Sequence, residues 1–345
     1  MKKLGAFLLA AAAVTPGLAS AQSGVTLYGV ADQYIEYVKS GGKHAARVED
    51  GGLYQSRWGL RGKEDLGSGV SAVFTLETGL ALDSGTVQQG GRLFGRQAWV
   101  GLSSTQWGAV TLGRQNTPIY YIEGQASAFG FSPYGPLGRL QNSGPAGSSL
   151  TARADNSIRY ESPDLAGFQA SLIYSLGAER TAPPRDADWL KAVGLTYGRG
   201  PLWLGLAYES GVADADRDER AIGGTYEFPW LKVFVNGRQA TRWNPGQATI
   251  KDRGYHVGVS VPVGPSGLVL LAYGMQRTVG TSNRGDQASL GYQHNLSKRT
   301  TLYANASKIW NKGQANYTFS NFPNDVSPAG ASNPQGVMFG MRQLF

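Results

Sequence analysis

Arg57, Arg61 and Lys63 alternate with Trp58, Leu60 and Gly62 within one short stretch of chain. In an extended strand successive side chains point to opposite faces, so the three cations share one face and the apolar groups take the other. A basic face of this kind is poorly suited to hydrocarbon, where each charge near mid-depth costs about 2 to 4 kcal/mol. Against confined water it would instead create a positive potential that draws in anions. Arg96 is a further candidate for the same role, while Glu123 and Asp155 are acids that would offset it. Arg96 has the parity of Ala98, Val100 and Leu102, which leaves its direction open. The competing role for each arginine is a structural ion pair with an acid such as Asp32, Glu77 or Asp155, a common arrangement in polar interiors.

Nothing in the sequence supplies catalytic chemistry. The three histidines, His44, His256 and His294, are scattered and lack the paired spacing of a metal site. No Gly-x-Ser-x-Gly turn and no phosphate-binding P-loop occurs, so neither an enzyme nor a cofactor is expected. With no cysteine, disulfide and thiol chemistry are excluded. The formal net charge is +8, and no lysine-dense run points to nucleic acid as a partner.

The first residues suggest export. Lys2 and Lys3 precede an apolar run from Leu4 to Val14, and Ala19-Ser20-Ala21 offers small residues for cleavage. The apolar run falls short of the roughly 20 residues a spanning helix needs. Residues 1–21 therefore read as a signal peptide removed before Gln22, leaving one domain over 22–345 with a charge of about +6.

That domain must present the cations on strands, because two-residue alternation runs through its whole length. Phe168, Ala170, Leu172 and Tyr174 alternate with Gln169, Ser171, Ile173 and Ser175. Leu202, Leu204, Leu206 and Tyr208 form one face, as do Leu231, Val233 and Val235 against Lys232, Asn236 and Arg238. Ala288, Leu290 and Tyr292 repeat the pattern. About sixteen such segments are expected, near Val25, Gly52, Gly69, Arg92, Trp107, Arg153, Ala166, Trp189, Pro201, Glu219, Leu231, Lys251, Gly267, Arg284, Arg299 and Gln335. Short links such as Arg199-Gly200-Pro201 alternate with longer ones at Lys39 to Gly51, Gln115 to Ala152, Thr241 to Ile250 and Asn311 to Pro334. A strand of about ten residues rises roughly 33 Å and, tilted about 45°, spans roughly 24 Å, close to the apolar band of an outer membrane. The expected fold is all-β: a transmembrane, antiparallel, up-and-down barrel without the open edges that lipid penalises. Tyr174, Tyr197, Tyr208, Tyr226, Phe228, Trp230 and Phe345 near strand ends suit aromatic girdles at the two interfaces.

Several segments in order along the chain carry a family resemblance. Val25-Thr26-Leu27-Tyr28-Gly29-Val30-Ala31-Asp32 looks like an opening strand, and Ser56 to Gly67 a second strand and its turn. Gly95 to Leu102, Val110 to Gln115, Asp155 to Tyr160 and the terminal Phe345 continue the match. Together they resemble the general porins of Gram-negative bacteria, in particular the beta-proteobacterial, anion-selective branch. The resemblance implies a sixteen-stranded outer-membrane barrel, a homotrimer and a passive route for small hydrophilic solutes. It further implies contact with outer-membrane lipid and lipopolysaccharide, and recognition of Phe345 by the barrel assembly machinery. A third loop folded into the lumen is implied as well, here residues 116–152, with Arg57 and Arg96 on the constriction wall and Arg114 and Arg159 beside the loop. The acidic Pro-Glu-Phe-Gly of enterobacterial porins is replaced by Ser127-Ala128-Phe129-Gly130, and Glu123 is the one acid of the loop. Modest anion preference is the expected outcome. The alternatives are a channel with a true site for small anions, or a barrel serving as an adhesin or structural protein.

Overall fold

An alternating chain can satisfy its backbone only by pairing with neighbours, and here the pairing runs around a full circle. The structure, a computed structural model, describes residues 24–141, 152–177, 189–212, 216–243, 246, 248–319 and 332–345. The expected signal peptide lies outside them. The chain begins with β1 (Gly24–Ser40), β2 (Lys43–Asp50), β3 (Arg57–Gly67), β4 (Val70–Ala81), the two-residue β5 (Thr86–Val87), β6 (Gln97–Ser104) and β7 (Gly108–Asn116). A long connection carrying α1 (Pro118–Gln125) then leads to β8 (Arg153–Glu161), β9 (Phe168–Ser175), β10 (Leu190–Arg199), β11 (Leu202–Val212) and β12 (Asp216–Glu227). The circuit ends with β13 (Lys232–Trp243), β14 (Ile250–Val263), β15 (Gly267–Thr278), β16 (Arg284–Asn295), β17 (Thr300–Lys312) and β18 (Gln335–Leu344).

Every strand pair is antiparallel, and β18 returns to β1 with Val30 opposite Leu344 and Lys39 opposite Gln335, which closes the sheet. β1 pairs with both β2 and β3, so these are two halves of one stave. With β5 set aside as a short extra ladder on β4, sixteen staves form the barrel. Their starts fall close to the positions expected from alternation.

One expectation fails at Lys39 to Gly51, which is not a loop. β1 and β2 form a hairpin turning at Gly41 and Gly42, both at positive φ (55° and 81°), a backbone conformation glycine adopts without a steric penalty. β2 reads poorly as a strand because Arg47 and Glu49 on one face and His44 and Asp50 on the other are all polar. Nor do long and short links alternate strictly, since β15 and β16 are joined by residues 279–283 alone.

The register assigns the two faces. On β1, Val25, Leu27 and Ile35 are 65%, 56% and 61% exposed, whereas Asp32, Tyr34 and Glu36 are at most 3% exposed. The exposed apolar set continues through Val100, Leu112, Leu172, Leu206, Val257, Leu271, Leu290 and Phe339 and forms the outer, lipid-facing surface. Polar groups fill the interior, the reverse of a water-soluble core and the arrangement a bilayer solvent demands. Outward aromatics gather near one rim: Phe168 lies 4.7 Å from Tyr197 and Tyr226 lies 4.6 Å from Phe228, ring centre to ring centre.

Between β2 and β3 the chain steps into the lumen and buries Leu53. The Asp32 carboxylate fixes the step by accepting backbone N–H groups from Gly52 (3.1 Å), Leu53 (2.9 Å) and Tyr54 (2.9 Å), and a hydrogen bond from the Tyr303 hydroxyl. Asp32 is thus a backbone anchor and not the arginine partner considered from sequence.

Closure leaves a specific mark at Gly29. Its N–H donates to the Phe345 carbonyl (2.9 Å) and its carbonyl accepts the return bond from the Phe345 N–H (3.2 Å), while the Phe345 ring covers the place a side chain would occupy. A Cβ at residue 29 would fall 2.2 Å from the Phe345 Cζ. Gly29→Val should therefore displace the terminal ring at a cost of about 1 to 3 kcal/mol. The expected readout is a smaller fraction of heat-resistant folded barrel on refolding, followed by gel mobility, with Val25→Ala as the unaffected control.

Candidate functional site

The long connection after β7 turns inward because the wall makes room for it. On the inner faces of β10, β11 and β12 the side chains are small: Ala192, Gly194, Gly205, Ala207, Ala221 and Gly223. α1 lies in that recess with Ile119 and Ile122 wholly buried against Ala207 and Ala221. A Cβ at Gly194 would meet Pro118 at 2.7 Å, and one at Gly223 would meet Ala126 at 2.5 Å, so larger residues would push the segment away. Thr117 precedes the helix in extended conformation and Pro118 opens it, where its missing N–H costs nothing.

Beyond α1 the segment follows the wall through a π-helical turn at Pro136–Leu140 and is tied down by polar contacts. The Tyr134 hydroxyl donates to Glu36 (3.0 Å), and its carbonyl accepts from Ser289 (2.6 Å) and Gln287 (3.1 Å). Ser132 donates to the Gly52 carbonyl (2.6 Å). His256 on β14 bridges two points of the segment, the Ala126 carbonyl (3.1 Å) and the Gln141 side chain (3.0 Å). Arg238 on β13 donates to the Gln141 carbonyl (2.7 Å) and to Glu219 (2.8 Å), with Glu123 3.7 Å from its Nε. Glu123 is completely buried among these groups; burial pushes its carboxyl up to about 7, against the pull of Arg238 and with the help of Glu219.

Residues 120–131 of the segment face the wall formed by β3, β4 and the start of β6 across a space of about 520 Å³. Among the described residues the charged groups lining it are Arg57, Arg96, Lys232 and Glu77. Glu77 receives Arg96 Nε (2.7 Å) and the Tyr28 hydroxyl (3.0 Å), with Arg57 Nε at 3.4 Å. Arg96 also donates to the Gln55 side chain (2.6 Å) and is 3% exposed, so it is held rigidly. One carboxylate thus serves two arginines, and the lining carries two positive charges in excess.

The sequence candidates separate into groups. Arg57 and Arg96 meet at Glu77. Arg96 escapes the outward parity of Ala98 because β6 begins at Gln97, leaving its side chain free to turn inward. Arg61 and Lys63 share the inner face of β3 but stand nearer its turn, with the Arg61 guanidinium 5.2 Å from the Tyr28 ring centre. Arg159 lies on the inner face of β8, paired with Glu161 (2.8 Å) and 5.0 Å from the Tyr121 ring, where it lines a second space of about 440 Å³ beneath α1. Arg114 and Asp155 are not brought to the gap: Asp155 pairs with Arg114 and with Arg92 (2.7 Å) at a bulge marked by Gly113 (φ 131°) and Asn156 (φ 47°). Glu123 is behind the loop, not on its open side. Lys232 is the lining cation that sequence reasoning did not single out; its alternation with Val233 and Val235 was the available signal. Arg153, 5.6 Å from the Tyr120 ring, was missed as well.

This fold and lumen define a membrane channel of the porin type. Residues 8–314 match the Gram-negative porin family model, and the chain belongs to that family. It is 34% identical to an outer membrane porin protein of Bordetella pertussis, over 88% of this chain and 93% of the relative. Identity is also 34% to outer membrane porin protein 32 of Delftia acidovorans, over 95% of this chain and 96% of the relative. Among solved structures, an anion-selective porin from Comamonas acidovorans superposes with a TM-score of 0.83 at 30% identity, covering 94% of this chain and all of that one. The protein is thus a multi-pass β-barrel porin of the Gram-negative outer membrane.

The state of Glu123 gives the docked segment a pH dependence. Because the folded-state value of about 7 lies above the ordinary 4.5, the folded form binds this proton more tightly than the unfolded form. That contribution to stability is complete at pH below about 4.5 and is lost as pH rises through about 7. Glu123→Gln should remove it: melting curves of the two proteins should diverge in favour of the variant as pH increases from 5 to 8.

Proposed function

We propose that the segment 117–141 is the constriction loop of a passive, anion-preferring diffusion pore, with Arg57, Arg96 and Lys232 as the cations that set the preference. The observation that carries the reading is the shared carboxylate: Glu77 balances one charge among three on the lining of the gap. The loop's inner side adds no acid to that space, because Glu123 is turned into the wall. Arg61 and Lys63 extend the positive surface toward one mouth, and Arg159 contributes beneath the loop, partly offset by Glu161. An anion entering such a lumen meets favourable potential along its path, and a cation meets a barrier. The relative from Comamonas acidovorans bears the description anion-selective, which agrees with this reading. Assembly as a homotrimer, as in an outer membrane protein of Vibrio cholerae solved in trimer form, belongs to the same proposal.

The balance at Glu77 makes opposite predictions for its two sides. A unit charge about 4 Å away is worth about 1 kcal/mol in water, and salt reduces this further. Arg57→Gln should accordingly lower the chloride-to-potassium permeability ratio by about two- to five-fold, while Glu77→Gln should raise it. Reversal potentials across planar bilayers under a potassium chloride gradient measure both. Cation preference in the parent protein would refute the proposal.

A further inference from the structure

Two tryptophans point into the lumen, where polar groups otherwise prevail. On β6 the outward Val100 and Leu102 put Trp99 on the inner face, and on β11 the outward Leu204 and Leu206 do the same for Trp203. Both border the space of about 440 Å³ beneath α1, on the side of the short turns. Trp203 has a structural task, since it packs against the cluster of Ile119 and Ile122 that seats the helix. Trp99 is different: among the described residues it joins no buried apolar cluster, and its indole N–H donates to the Gln97 side chain (3.0 Å). A half-buried indole turned toward water keeps an apolar face that gains free energy when a solute covers it.

The rest of the lining is rich in neutral hydrogen-bonding groups. Gln169 and Thr196 border the space from the wall, and Gln125 borders it from α1, one turn after Tyr121. Gln125 is exposed and its carboxamide has no protein partner among the described residues, so its two N–H donors and its acceptor are available to a solute. Tyr121 is held in place: its hydroxyl accepts from Asn116 (3.2 Å), and the Arg159 guanidinium lies 5.0 Å from its ring centre. Among the described residues the charged groups here are Arg159 and Glu161, paired at 2.8 Å, so the lining is neutral in sum. That separates it from the gap, whose lining carries positive charge in excess. Gln97, Tyr121 and Gln125 border both spaces, so a solute that clears the gap meets this one next.

We infer that this space is a binding subsite for a neutral pyranose sugar, with the sugar ring laid against Trp99 and its hydroxyls met by Gln125, Gln169, Thr196 and the pair of Arg159 and Glu161. Each feature selects for that class. A pyranose presents a C–H face to an aromatic ring and a rim of hydroxyls that both donate and accept, which carboxamides and a paired guanidinium and carboxylate can match. An organic anion would find Arg159 already taken by Glu161. The volume of about 440 Å³ lies within the roughly 300 to 1,000 Å³ of small-molecule sites. Because the solute is neutral, the inference stands or falls apart from the ion preference of the gap.

The test uses the full-length folded protein in planar bilayers, with ion current recorded while methyl glucoside or sorbitol is added. Methyl glucoside is locked in the ring form, and sorbitol carries similar hydroxyls on an open chain. Methyl glucoside should reduce the current along a saturable curve in the millimolar range, whereas sorbitol should reduce it only in proportion to the viscosity of the solution. Trp99→Leu should weaken methyl glucoside by about five- to tenfold, and Trp99→Phe, which keeps a ring, should recover most of the affinity. Gln125→Leu, on the lumen side of α1, should weaken it by about three- to tenfold with the wall untouched. Potassium chloride current in the absence of sugar shows that each variant is folded and open. Equal, unsaturable effects of the two probes, undiminished block in Trp99→Leu or Gln125→Leu, or equal loss in Trp99→Phe and Trp99→Leu would overturn the inference.

Discussion

A chain crossing hydrocarbon finds no water to satisfy its peptide groups, so every N–H and C=O at that depth must be paired within the protein. The ladder between β1 and β18 is where this requirement is met last, since it turns a sheet with two open edges into a wall with none. Once the wall is closed, alternation does the rest. Each residue facing lipid has a neighbour facing the lumen, and a polar interior follows from the same strands that give an apolar exterior.

A sixteen-stave barrel is wide enough to need internal filling, and this chain fills it with part of itself. The recess made by glycine and alanine on β10, β11 and β12 accepts α1, and hydrogen bonds from Gln287, Ser289, His256 and Arg238 hold the segment that follows. Burying Glu123 in this packing removes the loop's one acid from the open lumen. The same placement that fixes the loop therefore leaves Glu77 as the one carboxylate among the described residues that lines the gap with Arg57, Arg96 and Lys232. Selectivity in this account is a by-product of how the loop is seated.

The barrel was legible in the sequence because each stave within the membrane repeats one physical rule, and stave starts such as Gly267 and Arg284 could be read directly. β2 was hidden because, in the Lys43–Asp50 hairpin, polar groups occur on both faces. Arg96 and Arg114 show the limit of parity reasoning. Arg96 precedes its strand and Arg114 sits at a bulge, so alternation does not govern either. The seat of the loop was out of reach, since a glycine that makes room for a helix looks the same in sequence as one that relieves crowding in a twisted strand. Lys232 was visible as an inward residue, but its place at the gap depends on long-range closure of the barrel.

The central claim is that one face of each stave meets water and the other meets lipid. The chain contains no cysteine, so single cysteines at Leu60 and Arg61, adjacent on β3, can be compared without background. Conductance should drop when a membrane-impermeant, charged thiol reagent is added to the Arg61→Cys channel and should not change for Leu60→Cys. Block of the Leu60→Cys channel with Arg61→Cys unaffected would reverse the two faces and contradict the account.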